Sequence, residues 1–167
     1  MIARGDIRWF LYSTTAYFSY SQLQVFDSSV KLPGVSWTDG HFKQGFARQA
    51  QNVSFGTRLE FGHAEVAVYL APYKKKDAHE RAIEVPFEVI SGEVVIGGPE
   101  EYPNKHFVKL PNGHYRLVAA QQVTDEDREV VELFMEKVVE PLTHSRVIVA
   151  DEELDPPDPL IETVEVA

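Results

Sequence analysis

Apolar and polar residues alternate at every second position through much of the chain. Along Phe18-Ser-Tyr-Ser-Gln-Leu-Gln-Val-Phe-Asp27, one face carries Phe18, Tyr20, Gln22, Gln24 and Phe26, and the other carries Leu23 and Val25. That two-residue period predicts a strand. Pro33 and Gly34 mark a loop. Thr38 or Asp39 then offers a helix N-cap, and Phe42, Phe46 and Ala50 recur every four residues, so one short helix is predicted over 38–50. A further strand starts near Asn52. Ala64 to Ala71 sets Val66, Val68 and Leu70 on one side. Lys74-Lys-Lys-Asp77 reads as a turn, with its lysines at a charged hairpin tip. Ile83 to Ile90 alternates around Pro86, whose missing amide donor predicts an edge strand or a bulge. Glu93 to Ile96, His106 to Leu110 and Tyr115 to Val123 extend the series. Asn112-Gly113 is a hairpin signal, and Gly97 to Pro103 reads as a surface loop.

Asp125 to Glu140 carries two periods at once. Val130, Phe134 and Val138 recur every four residues, while Val131, Leu133 and Met135 alternate with Glu132, Phe134 and Glu136. The β-branched content favours a strand. On either reading Glu132 and Glu136 share a face. Arg146 to Ala150 is one more strand candidate. From Asp151 the chain turns acidic and proline-rich, a poor core former that predicts a mobile or extended tail. The expected fold is therefore all-β, an antiparallel β-sandwich with one short helix. It occupies one domain over 1–150, followed by an acidic tail over 151–167.

The length of 167 residues suits that single domain, which can bury about 70% of its unfolded surface. Cysteine is absent, which excludes disulfides, thiol catalysis and cysteine metal sites and fits a cytoplasmic protein. Asp6 interrupts the positive N-terminal region and Ser13-Thr-Thr15 cuts its apolar run, so the N-terminus reads as the start of the domain. No apolar run approaches the roughly 20 residues of a membrane helix. The net charge is −10 and unevenly spread. Met1 to Ile83 holds ten Lys/Arg against seven Asp/Glu, and Glu84 to Ala167 holds six against nineteen. Such a balance disfavours direct nucleic-acid binding and can steer a basic protein partner.

Motifs for chemistry are sparse. The six histidines form no His-Glu-x-x-His and read as scattered surface residues. There is no Gly-x-Ser-x-Gly elbow, and Gly97-Gly98 is followed by proline and two glutamates that repel phosphate. No cofactor or metal is expected. Most of the aromatic residues read as core. Trp37, at a loop-to-helix junction, is the natural contact residue if exposed, since tryptophan is enriched at interface hot spots.

Several boxes in order resemble one family. Ser19-Tyr-Ser-Gln-Leu-Gln-Val-Phe26, Trp37-Thr-Asp39, Gly45-Phe-Ala47, Ser54-Phe55, Val85-Pro-Phe87 and Leu110-Pro-Asn-Gly-His-Tyr-Arg-Leu117 resemble competence protein J. That family comprises inhibitors of the nuclease of bacterial DNA uptake, and the resemblance spans Ser19 to Val138. It implies a final sandwich strand over 125–140 and a cytoplasmic protein whose partner is a nuclease with a basic, metal-containing DNA groove. It assigns no contact residues. The charge distribution suggests carboxylates standing in for DNA phosphates, with Glu129, Glu132 and Glu136 as one patch and Glu100 and Glu101 as a second. Two other readings stay open. A small-ligand or carbohydrate-binding sandwich would show an exposed aromatic row beside a groove. An enzyme would bring His63, His114 or His41 against a carboxylate in a pocket.

Overall fold

The computed structural model describes residues 10–101 and 106–167. Arg4, Asp6, Arg8 and Trp9, read above as the domain start, and Tyr102 and Pro103 of the expected surface loop lie outside the described residues. The strands are β1 (Phe10–Phe18), β2 (Gln22–Asp27), β3 (Phe46–Gln49), β4 (Asn52–Gly56), β5 (Gly62–Tyr69), β6 (Arg81–Val89), β7 (Glu93–Gly97), β8 (His106–Lys109), β9 (Gly113–Asp125), β10 (Arg128–Val138) and β11 (Arg146–Val149), with one helix, α1 (Asp39–Gln44). One sheet has the order β1-β5-β10-β9-β6-β11 and the other β3-β4-β2-β7-β8. Neighbours are antiparallel except β5 and β10, which run parallel. The mainly β, two-sheet architecture with one short helix is the one the alternation predicts.

The core lies between the sheets. Ala64, Val66 and Val68 of β5, Leu117 and Ala119 of β9, and Val131, Leu133 and Met135 of β10 meet Leu23, Val25, Val53, Phe55, Val94 and Ile96 of the second sheet. Their two-residue spacing is what turns one side of each strand inward. The stretch 125–138 is a hairpin arm, with β10 paired to β9 from Arg128 to Val138.

Three local expectations need correction. The helix stops at Gln44, because Gly45 takes a left-handed φ of 85° and ends the ladder. Phe46 therefore begins β3 and is buried, while Phe42 stays exposed on α1. Phe18 to Asp27 is not one strand either. Tyr20 and Ser21 adopt φ of 55° and 57°, so the chain turns sharply and Tyr20 points outward, 64% exposed. Finally, the lysines at 74–76 are not at a hairpin tip. β9 is antiparallel to both β10 and β6, so β6 runs in the direction of β5. The chain leaving Tyr69 must therefore recross the sheet before Arg81. Residues 70–80 do this over the outer face, where Tyr73 and His79 pack on Phe134.

Pro86 sits just past Glu84, the last β6 residue paired with β11, where the strand has an open edge. After β11 the chain is extended and attached. Leu154 and Leu160 pack against the core, so these two positions depart from the expected poor core former. Val166 bridges Val35, and the Asp155 N–H donates to the Lys43 carbonyl at 2.9 Å.

Candidate functional site

One end of the sandwich gathers the turn after β1, the β4–β5 loop, the β9–β10 turn, the start of β6 and the chain after β11. The Ser21 N–H donates to the Glu60 carbonyl at 2.8 Å, and the His63 N–H donates to the Asp127 carbonyl at 2.8 Å. Glu60, Asp125, Glu126 and Asp127 are exposed there, beside Phe61 at 62% exposure. Arg58, whose side chain is only 10% exposed, forms ion pairs with Glu80 at 3.0 Å, Asp151 at 3.2 Å, Glu152 at 3.3 Å and Glu153 at 3.2 Å. Burial works against its charge, but Asp151, Glu80 and Glu153 outweigh that and raise its pKa. Arg81 shares the Asp151 carboxylate, donating from Nε to the same Oδ2 at 2.6 Å and from Nη2 to Oδ1 at 3.1 Å. Burial opposes the Asp151 carboxylate too, yet Arg81 and Arg58 hold its pKa low. The Asp151 side chain is buried between the two arginines, whereas Glu152 and Glu153 share Arg58 and still have side chains 83% and 51% exposed. Tyr20 stands on the same rim, hydrogen-bonded to Glu100, which raises the phenol pKa.

Each residue singled out from the sequence has a definite place. Glu132 and Glu136 do share the outer face of β10, but both are matched. Glu132 accepts from His79 Nε2 at 2.7 Å and Lys76 Nζ at 2.9 Å beneath the 70–80 crossover. Burial opposes its charge, and His79 and Lys76 more than compensate, lowering its pKa. Glu136 accepts from Arg116 Nη1 at 3.1 Å. Glu129 has the opposite parity and is 0% exposed among the inward residues. Its Oε2 accepts from the Leu59 N–H at 2.8 Å, and burial raises its pKa against the hydrogen bonds from Leu59 and Arg58. Glu100 is exposed, whereas Glu101 turns in to accept from the Tyr17 N–H at 2.9 Å and to meet His106 Nε2 at 3.4 Å. Trp37 is half-buried, with its ring 5.0 Å from that of Phe42.

Apart from Glu100, the exposed carboxylates at the rim are not among the residues the charge distribution singles out. Asp125-Glu-Asp127 lies between two alternating runs, which marks a turn tip, and that local signal was available in the sequence. Glu60, Glu152 and Glu153 join it only through the fold.

The histidine arrangements differ from those anticipated. His114 Nε2 is 3.8 Å from Glu88, beyond hydrogen-bond reach, and His41 caps α1 through Thr38. The histidines that meet carboxylates are His79, under the crossover, and His106, whose Nδ1 lies 3.1 Å from Thr14 Oγ1. No group of three or more His, Asp or Glu is placed to hold a metal among the described residues. A groove of about 450 Å³ beside β2, β7 and β8 is lined by Phe26, Val95 and Phe107, and the described residues place no row of exposed rings along it. No described helix is long and apolar enough to cross a membrane.

No curated protein matches the sequence. The fold aligns with the crystal structure of ComJ, inhibitor of the DNA degrading activity of NucA, from Bacillus subtilis. The TM-score is 0.66 at 21% identity, over 77% of this chain and 97% of that one. A second structure, Crocagin biosynthetic gene J, aligns at a TM-score of 0.49 and 15% identity over 74% of this chain and 98% of that one. The sequence profile of the competence protein J family matches residues 15–140, from within β1 to just past β10. With most of both sheets inside that match, the chain belongs to the competence protein J (ComJ) family.

Proposed function

We propose that this protein binds a nuclease and blocks it, acting by contact and carrying out no reaction. The family match over residues 15–140 carries this reading. The Bacillus subtilis structure, described as an inhibitor of the DNA degrading activity of NucA, supports it through the shared fold. The finer reading is that carboxylates at the acidic end occupy the position of DNA phosphates in the nuclease groove. Exposed Glu60, Asp125, Glu126, Asp127, Glu152 and Glu153 form the anionic surface, with Glu100 beside it. Tyr20 and Phe61 supply exposed aromatic area of the kind that anchors interfaces. Glu101, Glu129, Glu132 and Glu136 act through the fold, because internal donors already hold them. Trp37 lies outside this surface, beside α1.

The test is affinity capture from the native cell with the purified protein as bait, followed by deoxyribonuclease assay. A nuclease that is retained, and inhibited by added protein, is the expected result. Charged contacts weaken as the Debye length shrinks from about 10 Å at 0.1 M salt to about 3 Å at 1 M. Inhibition should therefore be weaker in the higher salt. Failure to retain any nuclease removes the binding function. Salt-independent inhibition removes the phosphate mimicry alone.

A further inference from the structure

Residues 161–167 lie against α1, β3 and residues 34–38 in a manner unlike the rest of the fold. Four successive carbonyls are taken by side-chain donors. Gln44 Nε2 donates to the Ile161 carbonyl at 2.9 Å, Arg48 Nη1 to that of Glu162 at 3.0 Å, His41 Nε2 to that of Thr163 at 2.9 Å, and Gln49 Nε2 to that of Val164 at 3.2 Å. The Ile161 N–H returns a bond to Gln44 Oε1 at 2.8 Å, so one side-chain amide pairs with both main-chain groups of a residue. Gln44 is 0% exposed. His41 Nδ1 accepts the Thr38 N–H at 3.0 Å, which leaves Nε2 as the donor. Side chains aimed at main-chain groups hold an extended peptide with little regard to its sequence.

Two positions do read side chains. Gly40 lets Ile161 approach so closely that a Cβ there would collide with Ile161 Cδ1. The Glu162 carboxylate receives Arg48 at 3.3 Å, the Ser145 N–H at 2.8 Å and Ser145 Oγ at 2.6 Å. The ligand chemistry is thus an extended strand with an apolar residue followed by an acidic one.

The occupant is separable from the body. His41, Gln44, Arg48 and Gln49 lie inside the family match, whereas residues 161–167 lie beyond it. The preceding stretch gives Leu154 and Leu160 to the core, but residues 161–167 add no side chain to that cluster. We propose that this surface is a peptide-binding groove, that residues 161–167 are its tethered ligand, and that an extended peptide with the same apolar–acidic step takes their place in trans. The tether is short, and short linkers give effective concentrations of about millimolar. A free peptide at about 10 µM then cannot compete with the intact chain but competes once the tether is cut.

The experiment inserts a specific protease recognition sequence between Pro157 and Asp158 of the full chain. A fluorescent synthetic peptide of residues 161–167, which omits Leu160 packed against the core, is titrated before and after cleavage, with circular dichroism recorded throughout. The expected result is no binding to the intact chain at about 10 µM and saturable binding to the cut chain. The same peptide carrying Glu162→Lys should bind at least tenfold more weakly, as should the unaltered peptide to a cut Gln44→Ala protein. The peptide substitution leaves the protein untouched and so does not depend on how that variant folds. Loss of the fold on cleavage would make the segment a structural element and overturn the proposal. A folded cut chain that ignores the peptide, or binds it regardless of Glu162→Lys, would overturn it as well.

Discussion

The Asp27 carboxylate accepts the Ile90 N–H at 2.7 Å, tying the end of β2 to the turn by which the chain passes from β6 in one sheet to β7 in the other. The same group receives the Ser91 N–H at 3.0 Å, the Ser29 N–H at 3.0 Å and Ser29 Oγ at 2.7 Å. Burial opposes the charge, but these bonds outweigh it and lower the pKa from 3.8 to about 2. A depressed carboxylate pKa contributes stability that is full above the unfolded value and is lost as pH falls through the folded one. For a shift of this size the contribution is on the order of 2 kcal/mol at neutral pH. Asp27→Asn should lower unfolding stability by about that amount at pH 7, and the difference from the parent should close between about pH 4 and pH 2. Urea titrations across that range measure it. A gap that persists at pH 2 would show that the bonds matter through geometry rather than charge.

Glu132 provides a second test of stability. Removing the acceptor of a buried hydrogen bond leaves its donor unsatisfied at a cost of about 1–3 kcal/mol. Glu132→Ala leaves His79, itself buried, without its partner at 2.7 Å. Lys76 is exposed and adds little, so the loss should be about 2–3 kcal/mol. The depressed pKa places this contribution above the ordinary carboxylate value of 4.5, with loss on acidification below it. A double-mutant cycle with His79→Ala should give a coupling above about 1 kcal/mol. Additive effects would mean that the crossover is held by its aromatic packing alone.

These two carboxylates also show where the sequence is informative. The shared face of Glu132 and Glu136 follows from either period of that stretch, while its strand character rests on β-branched content that only tips a balance between two periods. The parity of Glu129 with Val131 and Leu133 was readable too and points it inward. The cover over Glu132 was not, because it follows from strand order: β5 and β6 run the same way with two strands between them, which forces a crossover. Likewise, Phe42 and Phe46 match a helical spacing, but a left-handed glycine between them decides the boundary. The attachment of residues 161–167 rests on main-chain carbonyls, which composition does not reveal.

The acidic rim makes a prediction that separates stability from function. Asp125, Glu126 and Asp127 are exposed, and surface substitutions away from special features change stability by about 0.5 kcal/mol or less. Replacing all three with lysine should leave the thermal midpoint within a few degrees and weaken nuclease inhibition at least tenfold at low salt. The parallel measurement is Glu136→Lys, which breaks the pair with Arg116 and should affect inhibition much less. If the triple variant inhibits like the parent, the rim is not the contact surface.

Gly62 determines where that rim stands. It begins β5 with φ of 150°, and a Cβ there would collide with the Asp127 backbone carbonyl. That carbonyl accepts the His63 N–H at 2.8 Å, so the β9–β10 turn and the start of β5 are held together by main-chain atoms that have no rotamer with which to yield. Alanine at this position meets both a backbone conformation that L residues rarely adopt and a contact only a backbone shift can relieve. Gly62→Ala should therefore cost about 2–3 kcal/mol, the sum expected of one strained dihedral and one displaced hydrogen bond. Hydrogen exchange locates the damage. The His63 amide should lose protection, while amides of β2 and β7 in the opposite sheet keep theirs in proportion to the global change. Because the turn carries Asp125, Glu126 and Asp127, the same substitution should also weaken inhibition by a refolded, still-native population. Inhibition that tracks only the folded fraction would show that the position of the turn is immaterial to the partner.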